Sequence, residues 1–454
     1  MAKTHDVRIW QVKEYVGKRK TTYRVRWIVN GIEFGETFDT SALADSFRSG
    51  LVTASRNGEA FDTETGLPVS VARERNKMCW YDFAIAYADM KWPDAAPKYR
   101  RSLAESLMSI TVPMLKPDRP LPEPKILRKA LKTAFSKRAR EANEDPELAR
   151  AMRMAARASR EVNELANTEI LRTVLSKLDL KLDGKRASRN TVRIRRIALR
   201  NAIDFAIERK LLDSNPLADV KMKKRKFTLH QVDPRSVINP TQARVLLQAV
   251  SEYGRQGPPL VAFFGLMYYA GLRPEEAANV KKENLSLPDS GWGELRLERA
   301  RAEVSAEWTD SGEASEEGPL KHRELDEGRK VPCPPALTRM LHQHLARFGT
   351  APDGRLFRGA RDGGRIGSSV YGRVWAAARE RAFTAEVAAG PLAKRPYDLR
   401  HAAVSTWLAA GVQPTKVAEW AGHSLAVLLR VYAKCLDGSE QTDRERVQDI
   451  LGDG

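Results

Sequence analysis

The chain has 454 residues, 42% apolar and 30% charged, which is long and apolar enough for two to four hydrophobic cores. Lysine and arginine number 77 against 58 aspartate and glutamate, a formal net charge of +19, and such an excess favours a polyanionic partner through Coulomb attraction and counterion release. Cys79, Cys333 and Cys435 stand far apart with no CxxC pair, which argues against a disulfide framework or a cysteine zinc site. The start MAKTHDVRIWQV lacks a signal peptide's apolar core and no long apolar run can span a membrane, so a cytoplasmic protein is expected.

Residues 8–40 read as three strands, with GKRKT as one turn and Asn30-Gly31 as a strong hairpin signal. A helical pattern follows, and the small domain ends near residue 70. Its expected core is Trp10, Tyr23, Val25, Trp27 and Phe34. Arg8, Lys18, Arg19, Lys20, Arg24 and Arg26 stud the same sheet, and a ribbon of this size fits the major groove of DNA. A solvated basic face is the plainer reading of the same residues.

Residues 71–218 read as helical throughout, rich in Ala, Arg, Leu and Glu. In the last helix Val192, Ile194, Ile197, Ala198, Ala202 and Ile203 form the expected apolar face, with Asn190 or Thr191 as cap. Arg193, Arg195, Arg196 and Arg200 form the polar face, either solvated or gripping a phosphate backbone. Residues 219–236 read as a basic linker carrying Lys221, Lys223, Lys224, Arg225 and Lys226, a domain boundary able to strap across DNA.

Residues 237–454 form a third, mainly helical region with a few strands. PPLVAFFGLMYYAG is apolar on all sides and is expected to be buried. GELRLERA and GRKVPCP read as strands flanking a long polar stretch, 301–329, that carries Glu303, Glu307, Asp310, Glu313, Glu316 and Glu317. Four further helices run to about residue 436, and a short polar tail ends the chain.

The residues with chemical potential fall in this third region. Arg273, in GLRPEE, follows the apolar helix at a glycine–proline break, with Glu276 three residues on as its natural partner. Arg400 lies in YDLRHA, where Asp398 looks like a helix cap, so that the helix start is expected to face an anion. Two guanidinium groups can hold one phosphate by forked hydrogen bonds. His423 lies in AGHS between two helices, and Tyr432 follows nine residues later. A tyrosine in an apolar helix is ordinarily core, but beside two guanidinium groups its anion is favoured and attack on phosphorus becomes feasible.

In this order and spacing the motifs resemble the tyrosine recombinases, the phage integrase family, over residues 235–440. The resemblance implies an arm-binding domain at 1–70, a helical core-binding domain at 71–218 and a DNA breaking-rejoining catalytic domain after the linker. It makes Arg273 and Arg400 the catalytic arginines, Glu276 the supporting acid, His423 the late histidine and Tyr432 the nucleophile that forms a 3′-phosphotyrosyl link. It places a general-acid lysine on the strand-flanked loop, as Lys321, with Lys330 as runner-up. It implies no cofactor, no metal and no ATP, a homotetramer on double-stranded attachment sites, and an excision or host architectural factor as a further partner. The extra N-terminal domain resembles that of integrases, so integration of a mobile element is expected. The tail after Tyr432 either docks on a neighbouring subunit or frays. One position departs from the pattern: Tyr397 stands where the family has a histidine, and His401, offset from it by four, is expected to face elsewhere. A type IB topoisomerase-like enzyme and a DNA-binding protein with a decayed site are the rival readings.

Overall fold

The computed structural model describes all residues except 1–2, 76, 182, 221–230, 320–327, 360–362, 437–443, 446–447, 450 and 453–454. Lys321 and the linker residues Lys221, Lys223, Lys224, Arg225 and Lys226 therefore lie outside the described residues, as does most of the tail. The chain forms two compact units, Met1–Lys223 and Lys224–Gly454. No described helix is long and apolar enough to cross a membrane.

The first unit opens with an antiparallel meander. The strand Thr21–Val29 buries Val25, Trp27 and Val29 on one face and turns Arg24 and Arg26 to the other, the period-two alternation of a half-covered sheet. Asn30 and Gly31 both have positive φ, 51° and 80°, and bring Ile32–Phe38 back alongside in the tight turn their types favour. The expected first strand is split. Val7–Ile9 pairs with Val29–Trp27, but Lys13–Val16 pairs with Arg24–Thr21, so one extra residue bulges the edge near Trp10. The bulge explains why Trp10 does not join the core: its ring lies under the Arg26 guanidinium at 5.2 Å. The helix Ser41–Arg56, capped by Thr40, closes the sheet with Ala44, Leu51 and Ala54.

The rest of this unit is helical. In the helix Arg189–Glu208, Val192, Ala198, Leu199, Ala202, Ile203 and Ala206 are buried, and Ser188 is the cap rather than Asn190 or Thr191. Ile194 and Ile197, expected inside, are 38% and 44% exposed. The true apolar face follows the 198, 202, 206 line of small residues, which lets neighbouring helices approach and rotates the bulkier isoleucines outward.

The second unit is built around the helix Gly257–Tyr269, nine of whose thirteen residues are buried, including Phe263, Phe264 and Met267. Gly293–Leu297 pairs with Arg329–Cys333, as the sequence suggests. The polar stretch between them is not featureless: Arg299–Glu303 and Ser315–Pro319 extend the hairpin as a second antiparallel pair. Trp308 at its tip is 1% exposed, so this stretch carries its own hydrophobic anchor.

Candidate functional site

The site forms where three chain breaks meet. The first is the end of the apolar helix. Gly271 adopts φ +60°, where an added Cβ would crowd Trp407 to 2.9 Å, and the chain turns into the helix Pro274–Asn279 with Arg273 at its cap. Glu276, one turn on, accepts from the Arg273 backbone N–H at 2.8 Å and from Arg273 Nη1 at 2.6 Å, the partnership expected from the sequence.

The second break is the end of the helix Pro414–Ala421. Gly422 caps it in the left-handed region, φ 61° and ψ 49°, leaving the last carbonyls without intrahelical donors. Guanidinium groups supply them. Arg329 Nη1 donates to Ala421 O at 3.1 Å, Arg273 Nη2 donates to Gly422 O at 3.0 Å, and Arg400 Nη2 also donates to Ala421 O. Positive charge at a helix C-terminus is favoured by the backbone dipole as well.

Arg400 comes from the third element, the helix Asp398–Ala409, and is fully buried. Its Nη1 donates to Gly271 O and lies 4.0 Å from Glu276 Oε2, and its Nη2 also donates to His423 Nε2 at 2.8 Å. Arg329, which sequence reasoning passed over, completes the cluster with Nη2 2.8 Å from Glu276 Oε2. Its only sequence signal is strand alternation, which puts Arg329 on the inner face and Lys330 on the outer. Lys330 is 67% exposed at the side chain, with Glu294 3.8 Å away, and so points away from the arginines.

The electrostatics follow from burial. Burial pushes the Glu276 carboxyl up, but Arg329, Arg400 and Arg273 outweigh it and hold the group at about 2. Burial and then the neighbouring Arg273 charge bring Arg400 down to about 10, so it stays charged near neutral pH. Burial and the three guanidinium charges push His423 down to about 3, so its ring is neutral there. Because Arg400 can only donate, Nε2 of that neutral ring is the acceptor and Nδ1 carries the hydrogen. Among the described residues, His423 Nδ1 and Arg400 Nε are buried and have no partner. Two buried N–H donors without acceptors, on residues held in a field of guanidinium charge, are matched to an anion.

Two expectations about YDLRHA need correction. Asp398 is not the cap: Tyr397 holds that position, and the Asp398 carboxylate accepts from the Arg395 backbone N–H at 2.8 Å. Nor does this helix start present free N–H groups to an anion. The amides of Asp398, Leu399 and Arg400 are bonded to Arg395, Pro396 and Tyr397 carbonyls at 2.9, 3.1 and 3.1 Å. The unpartnered buried donors of the cluster are side chains instead.

The larger correction concerns His401. Its ring does not face elsewhere: Nδ1 lies 2.8 Å from the Tyr432 hydroxyl. Four residues are about one turn of α-helix, so Tyr397 and His401 share a face, and their rings meet edge-on at 5.1 Å. The helical spacing was the available signal. Tyr432 itself is 1% exposed, and its ring lies against His423 at 6.1 Å and His401 at 5.7 Å. It sits at a kink in the helix Leu425–Leu436, with φ −110° and ψ 16°, and the preceding carbonyl, Val431 O, takes the Val232 N–H at 3.1 Å.

Of the residues proposed to touch DNA, Lys18, Arg19, Lys20, Arg24, Arg193 and Arg200 are exposed. Lys20 pairs with Asp39 at 2.6 Å, and the half-buried Arg26 lies 3.4 Å from Glu33. Arg196 is a brace within the fold, bonded to Asp179 at 2.9 Å.

No protein-family model matches the chain, and no curated protein matches it. Among solved structures, the chain is similar to the Tn1549 transposon integrase in complex with a circular intermediate DNA, at 17% identity over 71% of this chain and 98% of that one, TM-score 0.49. It is also similar to the XerH site-specific recombinase bound to difH substrate, at 15% identity over 78% and 96%, TM-score 0.41. A lambda integrase dimer bound to a COC′ core site matches at 13% identity over 93% and 94%, TM-score 0.45. All three scores lie below 0.5, so the site geometry has to carry the assignment of function.

Proposed function

We propose that this chain is a site-specific DNA recombinase of the tyrosine type, which cuts and rejoins DNA strands through a 3′-phosphotyrosyl intermediate and integrates a mobile element. The observation that carries this reading is the pair of unpartnered buried donors, His423 Nδ1–H and Arg400 Nε–H, in the same cluster as the Tyr432 hydroxyl. In the proposed reaction Arg273, Arg400 and His423 hold the non-bridging oxygens of the scissile phosphate, where charge develops as the pentavalent state forms. Tyr432 attacks phosphorus, and Lys321 is assigned as the acid that protonates the departing 5′-oxygen. A 5′-hydroxyl on another strand then reverses the step. Glu276 and Arg329 hold the arginines in place without touching DNA.

In this reading the exposed basic residues of the sheet, Lys18, Arg19, Lys20 and Arg24, bind accessory arm sites. Arg193, Arg200 and the linker residues Lys223, Lys224, Arg225 and Lys226 follow the core-site backbone. The active assembly is a homotetramer on two duplexes in the cytoplasm, with an excision or host architectural factor setting direction. A duplex built from the end of the element that encodes the chain, nicked beside the cleavage position, tests the reading. Covalent trapping that vanishes in Tyr432→Phe supports it, and absence of trapping at every position and salt concentration sinks it. A topoisomerase-like enzyme would trap equally on unrelated duplexes and relax supercoils without joining two sites.

A further inference from the structure

The proposed cleavage needs an acceptor for the Tyr432 proton, and the groups assigned to the phosphate do not provide one. Arg273 and Arg400 have no lone pair to offer. The one lone pair of neutral His423, on Nε2, is already taken by Arg400 Nη2 at 2.8 Å. Tyr397 offers only a phenol oxygen, a far poorer proton acceptor than an imidazole nitrogen.

His401 is placed for the task. Its Nδ1 is 2.8 Å from Tyr432 Oη, the reach that general-base catalysis requires. The ring is held on three sides: by the Tyr397 edge one turn back, by the Tyr432 ring, and by the helix Asp398–Ala409 that fixes its backbone next to Arg400. The titratable and charged groups around it include Tyr397 and Arg400 on its own helix, Tyr432 on the kinked helix, and His423 in the turn between. Among them Arg400 stays charged near neutral pH while His423 is neutral, and Arg400 is engaged with Gly271 O, Ala421 O and His423.

Resting on the recombinase reading, we propose that His401 is the general base of this chain, accepting the Tyr432 proton on Nδ1 during strand cleavage and returning it during rejoining. The balance closes within the site. As Tyr432 Oη forms its bond to phosphorus, the phenol proton passes to the Nδ1 lone pair of the Nε2–H tautomer. The bond from phosphorus to the 5′-oxygen breaks, and that oxygen takes a proton from the general acid of the proposed reaction. On rejoining, an incoming 5′-oxygen forms the new bond, and Tyr432 Oη leaves with the proton held by His401. In this scheme Tyr397 is a positioning residue, bracing the imidazole that does the work of the missing histidine.

The test uses the full-length chain and the nicked duplex above, measuring the rate of covalent trapping. A base of this kind is worth about 10²–10⁴-fold, so His401→Gln, which keeps a hydrogen-bond acceptor but takes no proton, should bind the duplex and trap at least about 100-fold more slowly. The wild-type rate should rise with pH as the base loses its proton, and that rise should disappear in His401→Gln. A 5′-bridging sulfur, a leaving group that needs no acid, should not restore the lost rate. Added imidazole should restore His401→Ala in proportion to its free-base fraction, an outcome that mere loss of packing would not give. The proposal is overturned if His401→Gln traps within about threefold of wild type with an unchanged pH profile, or if the sulfur substrate restores it. Failure of wild type to trap where Tyr432→Phe also fails overturns the recombinase reading instead, and the base assignment with it.

Discussion

Arg329 and Glu276, 53 residues apart in the chain, form a buried ion pair with Nη2 and Oε2 2.8 Å apart and both side chains at 2% exposure or less. The pair joins the strand Arg329–Cys333 to the turn that carries Arg273, and Arg329 reaches on to Ala421 O beside His423. One carboxylate thus faces three guanidinium groups. Removing it leaves Arg329 and the fully buried Arg400 without their counter-charge, whereas removing Arg329 leaves Glu276 with Arg273 and Arg400. Glu276→Gln should therefore cost more than Arg329→Met. Breaking a buried pair costs about 3–5 kcal/mol, or a fall of roughly 6–20 °C in the melting of a unit this size. Thermal unfolding of both variants checks the order, and an Arg329→Met melt at or below that of Glu276→Gln would contradict the shared-carboxylate account.

The same cluster sets an acid limit. Glu276 is held at about 2 in the fold against an ordinary value of 4.5, so its contribution is fully present above pH 4.5 and is lost as pH falls through about 2. His423 is held at about 3 against 6.5, so the unfolded chain binds a proton there that the fold refuses, and stability falls as pH drops from 6.5 towards 3. Buried His344, also shifted down by burial, adds to that slope. Melting temperature should already decline between pH 6.5 and 4.5 and decline more steeply below. His423→Asn should flatten part of the upper slope, while Glu276→Gln should flatten only the lower one. Parallel curves for wild type and His423→Asn above pH 4.5 would mean that His423 titrates normally.

Gly422 gives a separate test of the arginine cage. Its left-handed φ of 61° disfavours alanine by about 1–2 kcal/mol, and asparagine tolerates that region better. A Cβ of either residue would also overlap Arg329 Nη1, which is bonded to Ala421 O and belongs to a guanidinium tethered through Nη2 to Glu276, so it has little room to retreat. Contact rather than backbone conformation should decide, so Gly422→Asn should destabilise the fold nearly as much as Gly422→Ala, and both should slow trapping. A near-wild-type Gly422→Asn in thermal unfolding would refute this.

These relationships mark what the sequence could and could not display. Arg273, Glu276, Arg400 and His423 are legible because each sits in a short motif beside a chain break, and Tyr432, inside a helix, only through its spacing of nine residues from His423. Arg329 is not, because its partner is 53 residues away and an arginine before a valine-proline strand looks like surface. His401 was misplaced for a different reason. Its place directly after Arg400 lies outside the family's motif, although the helical period puts residues 397 and 401 on one face, and nothing local reveals that the Tyr432 helix packs over that face. Trp308 in an acidic stretch and the outward Ile194 and Ile197 were hidden likewise, since which neighbours cover a face is a tertiary fact.

The helix Arg189–Glu208 allows the DNA-contact proposal to be separated from fold maintenance by two arginines four residues apart. Arg200 is exposed, and in the proposed reading it neutralises a backbone phosphate. Arg196 is half-buried and spends its charge on Asp179 at 2.9 Å, while Arg195 beside it donates to the carbonyls of Leu178 and Leu180 at 3.1 and 2.7 Å. Each phosphate contact contributes close to one unit to the slope of log affinity against log salt. Arg200→Ala should thus lower that slope by about one on any duplex while leaving the melting temperature unchanged. Arg196→Ala should do the reverse, lowering the melting temperature because Asp179 loses its partner, with the salt slope intact. Binding to one duplex across a salt series, paired with thermal unfolding, reads both. A salt slope that falls for Arg196→Ala and not for Arg200→Ala would move the phosphate contact to Arg196 and refute the assignment of Arg200.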